Sequence, residues 1–264
     1  MKTRNSLITW PVLITASLGV VLCLITYTFD FIPFSFYFDA VIYRIVLSSI
    51  IVLLIFRLGL SGALRFTFGS FWRGLLCSAL FLIFSLWVLI LNLIASEVFF
   101  SIEVLDFICR MLMIGIMEEL IFRGALLNVM KINAAQTVGG LSMAVLFSSL
   151  IFGLAHFLNL LYSPLSEVSI QVYNAFCMGI LFSAIYIRCQ NIWLCAFLHA
   201  LWDFANMVAF TIFSVEQETV QAAQDITAGQ ALLSLVEPTI FLIIGVFLLR
   251  KIRKPEHLKE ALEI

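Results

Sequence analysis

The chain has 264 residues, of which 15 are basic and 16 acidic, for a formal net charge of −1. Apolar residues make up 63% and charged residues 12%, against roughly 45–50% and 25% in ordinary soluble domains, and mean hydropathy is +1.12. So apolar a chain cannot cover itself as a soluble globule, is the opposite of a disordered one, and has no basic excess with which to neutralise nucleic acid, which is excluded as a partner.

A bilayer core about 30 Å thick needs roughly 20 apolar residues as helix. The first such run, 6–29, follows a short basic start (Lys2, Arg4) and is too long for the apolar part of a signal peptide. Further runs fall at about 41–60, 74–95, 107–130, 139–162, 169–187, 192–214 and 235–249. The expected fold class is therefore all-α, a polytopic transmembrane helix bundle of about eight spans. It reads as one integral-membrane domain over 1–264, with a motif-bearing core at about 107–214 and a tail at 250–264.

Charges between the runs alternate in kind. Lys2 and Arg4 are followed by Asp30 and Asp39, then by Arg57, Arg65 and Arg73. Glu97, Glu103 and Asp106 come next, then Arg123 and Lys131, then Glu167, then Arg188. Glu216, Glu218, Asp225 and Glu237 precede the basic run of Arg250, Lys251, Arg253 and Lys254. The positive-inside rule puts both termini in the cytoplasm. Arg44 and Arg110 break the pattern and are expected to snorkel to the interface from helix starts. The acid- and glutamine-rich stretch 216–230 should face the non-cytoplasmic side.

Six cysteines lie in or beside apolar runs without a CxxC pair, as small buried hydrophobes do. Cys195 stands four residues before His199, but a lone thiol in an apolar span is inert as a nucleophile.

The informative residues are ionisable groups inside the spans: Glu118, Glu119 and Arg123, then His156, then His199 and Asp203. A charge at mid-membrane costs on the order of 2.5–3.5 kcal/mol on insertion scales, so a cluster of six points to function. At 100° per residue, Glu119 and Arg123 lie about 40° apart and pair, whereas Glu118 points about 140° away from Arg123. Glu118 is left without a cation from its own helix, which suits a general base or acid. His199 and Asp203, also i and i+4, share a face. Counted from span centres, His156 falls about 9 Å toward the opposite side of the membrane.

Two chemistries suit a carboxylate, two imidazoles and an Asp around a small gap. They could ligate zinc or iron. Alternatively, Glu118 and His156 could deprotonate a water while His199 and Asp203 stabilise an oxyanion. There is no HExxH, and spacing alone does not choose.

The runs Glu118-Glu119-Leu120-Ile121-Phe122-Arg123 (EExxxR), Phe152-Gly153-Leu154-Ala155-His156 (FxxxH) and His199-Ala200-Leu201-Trp202-Asp203 (HxxxD) resemble, in order and spacing, those of the CPBP family. These are the CAAX-protease and bacteriocin-processing (Abi) intramembrane glutamic endopeptidases. Each motif alone is weak; the three in order on three spans are specific, over about 118–206.

The resemblance implies an intramembrane endopeptidase with Glu118 and His156 activating water. Glu119 and Arg123 would hold the motif together, and His199 and Asp203 would form the oxyanion site. It implies no metal cofactor, with zinc as the alternative, and a peptide or membrane-protein substrate in the lipid bilayer of a bacterial plasma membrane. Asp203 departs from members with Asn at this position: Asp donates a hydrogen bond only when protonated, and when ionised it orients His199 instead. Two readings of other classes compete. One is a non-catalytic membrane immunity or scaffold protein of the same fold. The other is a proton-coupled transporter, against which stands the lack of repeats and of matched broken spans.

Overall fold

The computed structural model describes residues 10–30, 38–96, 101–133, 138–212 and 228–250. All regular structure there is helical: α1 Trp10–Asp30, α2 Asp39–Arg57, α3 Phe68–Cys77, α4 Ala79–Ser96, α5 Ile102–Glu119, α6 Asn128–Asn133, α7 Val138–Ala155, α8 Leu165–Cys189, α9 Ile192–Ile212 and α10 Ala228–Arg250. Each apolar run of the sequence finds a helix. Polar residues mark the starts: Thr67 accepts from the Ser70 N–H and Ser101 from the Val104 N–H, as N-caps do. Gln190, with φ of 52°, turns the chain between α8 and α9.

Among the described residues, three helical stretches are long and apolar enough to cross a membrane: Asp39–Arg57, Gly139–Leu161 and Leu165–Cys189. The pair Phe68–Cys77 and Ala79–Ile94, bent by 74°, makes a fourth if it is one span. The shorter apolar helices Pro11–Thr26 and Ile192–Val208 accompany them.

The outside of the bundle is apolar. Leu76, Phe68, Ile94, Leu80 and Leu53 are all exposed, on a scale no water-soluble monomer tolerates. The surface is made for lipid, and the chain is an integral membrane protein.

α8 runs through the middle, packed by α7 on one side and α10 on the other, while α9 lies between α4 and α5. Its second half, from Cys177 to Ile187, is buried throughout. Small residues permit the closest crossings, as in membrane bundles generally. A Cβ at Gly115 of α5 would stand 2.5 Å from the Ala196 carbonyl oxygen of α9. One at Gly179 of α8 would stand 2.8 Å from Ser149 Cβ of α7.

Two breaks within helices position the site. From Leu120 to Leu127 the α5 helix continues as a π-helix, every residue of it buried; π segments are rare and concentrate at functional sites. At its other end α7 tightens into a 3₁₀ turn, His156–Leu161.

Several charges do not sit where loop counting puts them. Arg123 and Lys131, read as a basic loop pair, are both about 1% exposed, Lys131 with its ammonium 5.8 Å from the Tyr186 ring centre. Arg44 is also buried, its guanidinium 4.8 Å from the Tyr43 ring, so it does not snorkel. Arg110 reaches the surface but pairs with Asp106 at 2.7 Å and Asp39 at 3.6 Å. Aromatic and carboxylate partners inside the protein replace the interfacial water that snorkelling supplies. The stretch 216–230 and the tail beyond Arg250 lie outside the described residues, save for the first turn of α10.

Candidate active site

Four elements converge: the end of α5 with its π continuation, the end of α7, the first half of α8, and α9. Glu119 is fully buried, and its Oε1 accepts from Arg123 Nη1 at 2.7 Å and from His199 Nδ1 at 3.0 Å. Arg123 is as deeply enclosed. Its Nη2 points to the Gly179 carbonyl at 3.4 Å, and its guanidinium lies 4.6 Å from the Phe152 ring centre and 5.7 Å from that of Phe182. A buried ion pair offsets its desolvation only with good geometry and further partners; here the partners are a carbonyl and two aromatic faces.

His199 is the hub. A carboxylate accepts only, so the proton on Nδ1 is donated to Glu119, which fixes the ring's orientation. The ring is flanked by Phe182 at 5.5 Å and Phe152 at 6.0 Å between centroids. Its other nitrogen, Nε2, faces Glu118 Oε2 at 3.6 Å and Asp203 Oδ2 at 3.5 Å. Both separations exceed a good direct hydrogen bond and suit a bridging oxygen.

His156 belongs to the same site. Its Nδ1 lies 2.9 Å from the Phe152 carbonyl oxygen; a carbonyl accepts only, so Nδ1 carries the proton and a neutral ring keeps its lone pair on Nε2. A cavity of about 140 Å³ is lined by His156, His199 and Asp203 together with Phe152, Gln171, Asn174, Ala175, Met178 and Trp202. The offset in depth expected for His156 is therefore closed by the way α7 and α9 pack.

The structure thus brings Glu119, Arg123, His199, Asp203 and Glu118 into one contact chain and sets His156 on the same cavity. Glu118 and His156 make no direct bond among the described residues. Cys195 stays outside: it is fully buried, and its Sγ points to the Phe182 carbonyl at 3.8 Å.

Sequence reasoning missed the far wall. Gln171 and Asn174 sit i and i+3 on one face of α8, polar positions inside an apolar run, which is the signal that marks them. Gln171 accepts from Asn159 Nδ2 at 2.5 Å, whereas Asn174 Oδ1 is enclosed without a partner among the described residues. Phe152, quoted in FxxxH without a role, gives its carbonyl to His156 and its ring to Arg123.

Among the described residues no three His, Cys, Asp or Glu side chains are grouped so as to hold a metal ion. The arrangement offers a polar cavity with two imidazoles and the Asp203 carboxylate in its lining. That is the equipment for moving protons to and from a bound water.

No curated protein and no solved structure matches the chain. Residues 100–205 match the family model described as Type II CAAX prenyl endopeptidase Rce1-like, a stretch that contains all three motifs and every residue of the contact chain. Over that stretch, 106 of the chain's 264 residues, the protein is similar to the Rce1-like CAAX prenyl endopeptidases.

Proposed function

We infer that this membrane protein hydrolyses a peptide bond of a substrate held in or beside the bilayer, by a glutamate-based, metal-free mechanism. The observation that carries the reading is His199, clamped at Nδ1 by Glu119 while its Nε2 looks between Glu118 and Asp203 at the edge of a polar cavity.

Glu118, which pairs with neither arginine of its own helix among the described residues, takes a proton from the attacking water. His156, its lone pair on Nε2, accepts the water's second hydrogen bond and aims it. The carbonyl carbon becomes tetrahedral and its oxygen negative. His199 as an imidazolium donates Nε2–H to that oxyanion, with the carboxylates around the ring as counter-charges. Asp203 adds a second donor when protonated and otherwise steadies His199. The proton held by Glu118 then passes to the leaving nitrogen as the C–N bond breaks, giving a carboxylic acid and an amine, and the acid's proton moves to the amine to leave carboxylate and ammonium.

The test compares new peptide termini by mass spectrometry in membranes carrying wild type, Glu118→Ala or His156→Ala at equal expression. Termini produced by wild type alone are expected, and these also identify the substrate. Three identical sets of termini would remove the catalytic reading in favour of a binding role. Repeating the wild-type arm with a chelator is expected to leave the termini unchanged; their loss would point to zinc.

A further inference from the structure

We propose that the groove between α7, α8 and α10 is a binding site for an anionic phospholipid, its acyl chain in the groove and its phosphate on Arg250. The groove holds about 330 Å³, more than twice the volume of the catalytic cavity. That is room for about ten methylene-sized groups at ~30 Å³ each, the share of one water. Its floor is the buried pair Val145 and Ile180, and its open rim is Leu146 and Val246, each more than a third exposed.

The groove's chemistry differs along its length. Aliphatic side chains line most of it, and Arg250 lines its end. A second guanidinium belongs to that end: Arg188 Nη1 donates to the Leu248 carbonyl at 3.1 Å, and its Nε has no partner among the described residues. Neither arginine forms an ion pair among the described residues, and the sequence continues with Lys251, Arg253 and Lys254 before the first acid, Glu256. A basic run directly after an apolar helix is a site for anionic headgroups. Arg250, at the end of an apolar trough whose rim is exposed, selects an amphiphile with a negative head rather than a peptide or a free anion.

This site is separate from the catalytic one. Along α7, Leu146 precedes His156 by ten residues, about 15 Å of helix.

Full-length protein, stripped of lipid in mild detergent, is titrated with phosphatidylglycerol or phosphatidylcholine, and bound lipid is counted by native mass spectrometry. One phosphatidylglycerol should stay bound where phosphatidylcholine does not. Arg250→Gln should weaken retention by about five-fold, the effect of one basic residue at an anionic surface. Val246→Trp, which fills the groove from its exposed rim, should cut retention further with no change in the lipid-free melting temperature. If that variant proves unstable, Leu146→Trp makes the same test from the other rim.

Equal retention of the two lipids overturns the proposal. So does an Arg250→Gln variant that binds like wild type while substitution of Lys251, Arg253 and Lys254 together abolishes binding, since diffuse surface charge then accounts for the attraction.

Discussion

One helix carries the same ion pair twice. Near the start of α5, Arg110 meets Asp106; at its end, Arg123 meets Glu119; both pairs are i, i+4 and both are 2.7 Å apart. The surroundings differ. The Arg110 side chain is 37% exposed and meets both Asp39 and Asp106, and the Phe38 N–H also donates to Asp106 at 2.9 Å. The Arg123 and Glu119 side chains are 1% and 0% exposed. Water screens the first pair, so its net worth falls in the range of about 0–1 kcal/mol. The second has no water to fall back on, and removing one partner leaves a buried charge at a cost of about 3–5 kcal/mol. Equal distances therefore hide unequal energies. The buried pair also holds an imidazole, His199, that lines a cavity.

The sharpest break of this comparison separates chemistry from scaffold inside the buried cluster. Glu118→Gln keeps the side chain's size and removes its basicity. It should lower the rate of peptide cleavage by about 10²–10⁴-fold, the usual worth of a positioned acid–base group, while the melting temperature in detergent stays at the wild-type value. Arg123→Ala should act the other way round. It strands Glu119 without its cation, and thermal unfolding should show a loss of about 3–5 kcal/mol, with activity falling because the fold does. If Glu118→Gln cleaved normally, Glu118 would not be the base, and the proton transfer would have to be reassigned within the cluster.

Arg123→Lys is a finer instrument. It keeps the charge and forfeits the planar fork that reaches Glu119 and the Gly179 carbonyl together while lying on Phe152. Lysine is a point charge without that geometry. The expected loss is about 1–3 kcal/mol, the cost of leaving a buried acceptor unmet. The melting temperature should fall between those of wild type and Arg123→Ala. A lysine variant as stable as wild type would mean that charge alone is required.

How much of this was legible beforehand follows from what each signal measures. Hydropathy finds apolar length, so the runs at 41–60 and 169–187 announced α2 and α8. It is blind to what happens inside a run. The 74° bend at Ser78, the π stretch from Leu120 and the 3₁₀ turn at His156 all fall within continuous apolar sequence, with no Pro or Gly to mark the first and the last. Helical periodicity predicted that Glu119 would meet Arg123 and that His199 and Asp203 would share a face, because those relations lie within one helix. It had no access to relations between helices. That Glu119 also holds His199, and that α7 brings His156 to the same cavity, are products of packing. Charge counting misplaced three cations for a related reason: it treats every cation as solvated, and Arg123, Lys131 and Arg44 are buried.

The smallest expected effect tests the exposed half of the comparison. Arg110→Gln removes the cation from a cluster that also contains two carboxylates, Asp39 and Asp106. Asp106 still accepts from the Phe38 N–H, which ties the start of α2 to α5, so the local geometry has a second support. Water reaches the vacated position and solvates both acids, so the melting curve should shift by no more than about 1 kcal/mol. The residual effect should shrink as salt is raised, since a Debye length of about 8 Å at physiological ionic strength screens what is left. The Arg123→Ala deficit, shut away from ions, should be indifferent to salt. A large, salt-insensitive loss from Arg110→Gln would instead place this rim cluster in the same energetic class as the buried one.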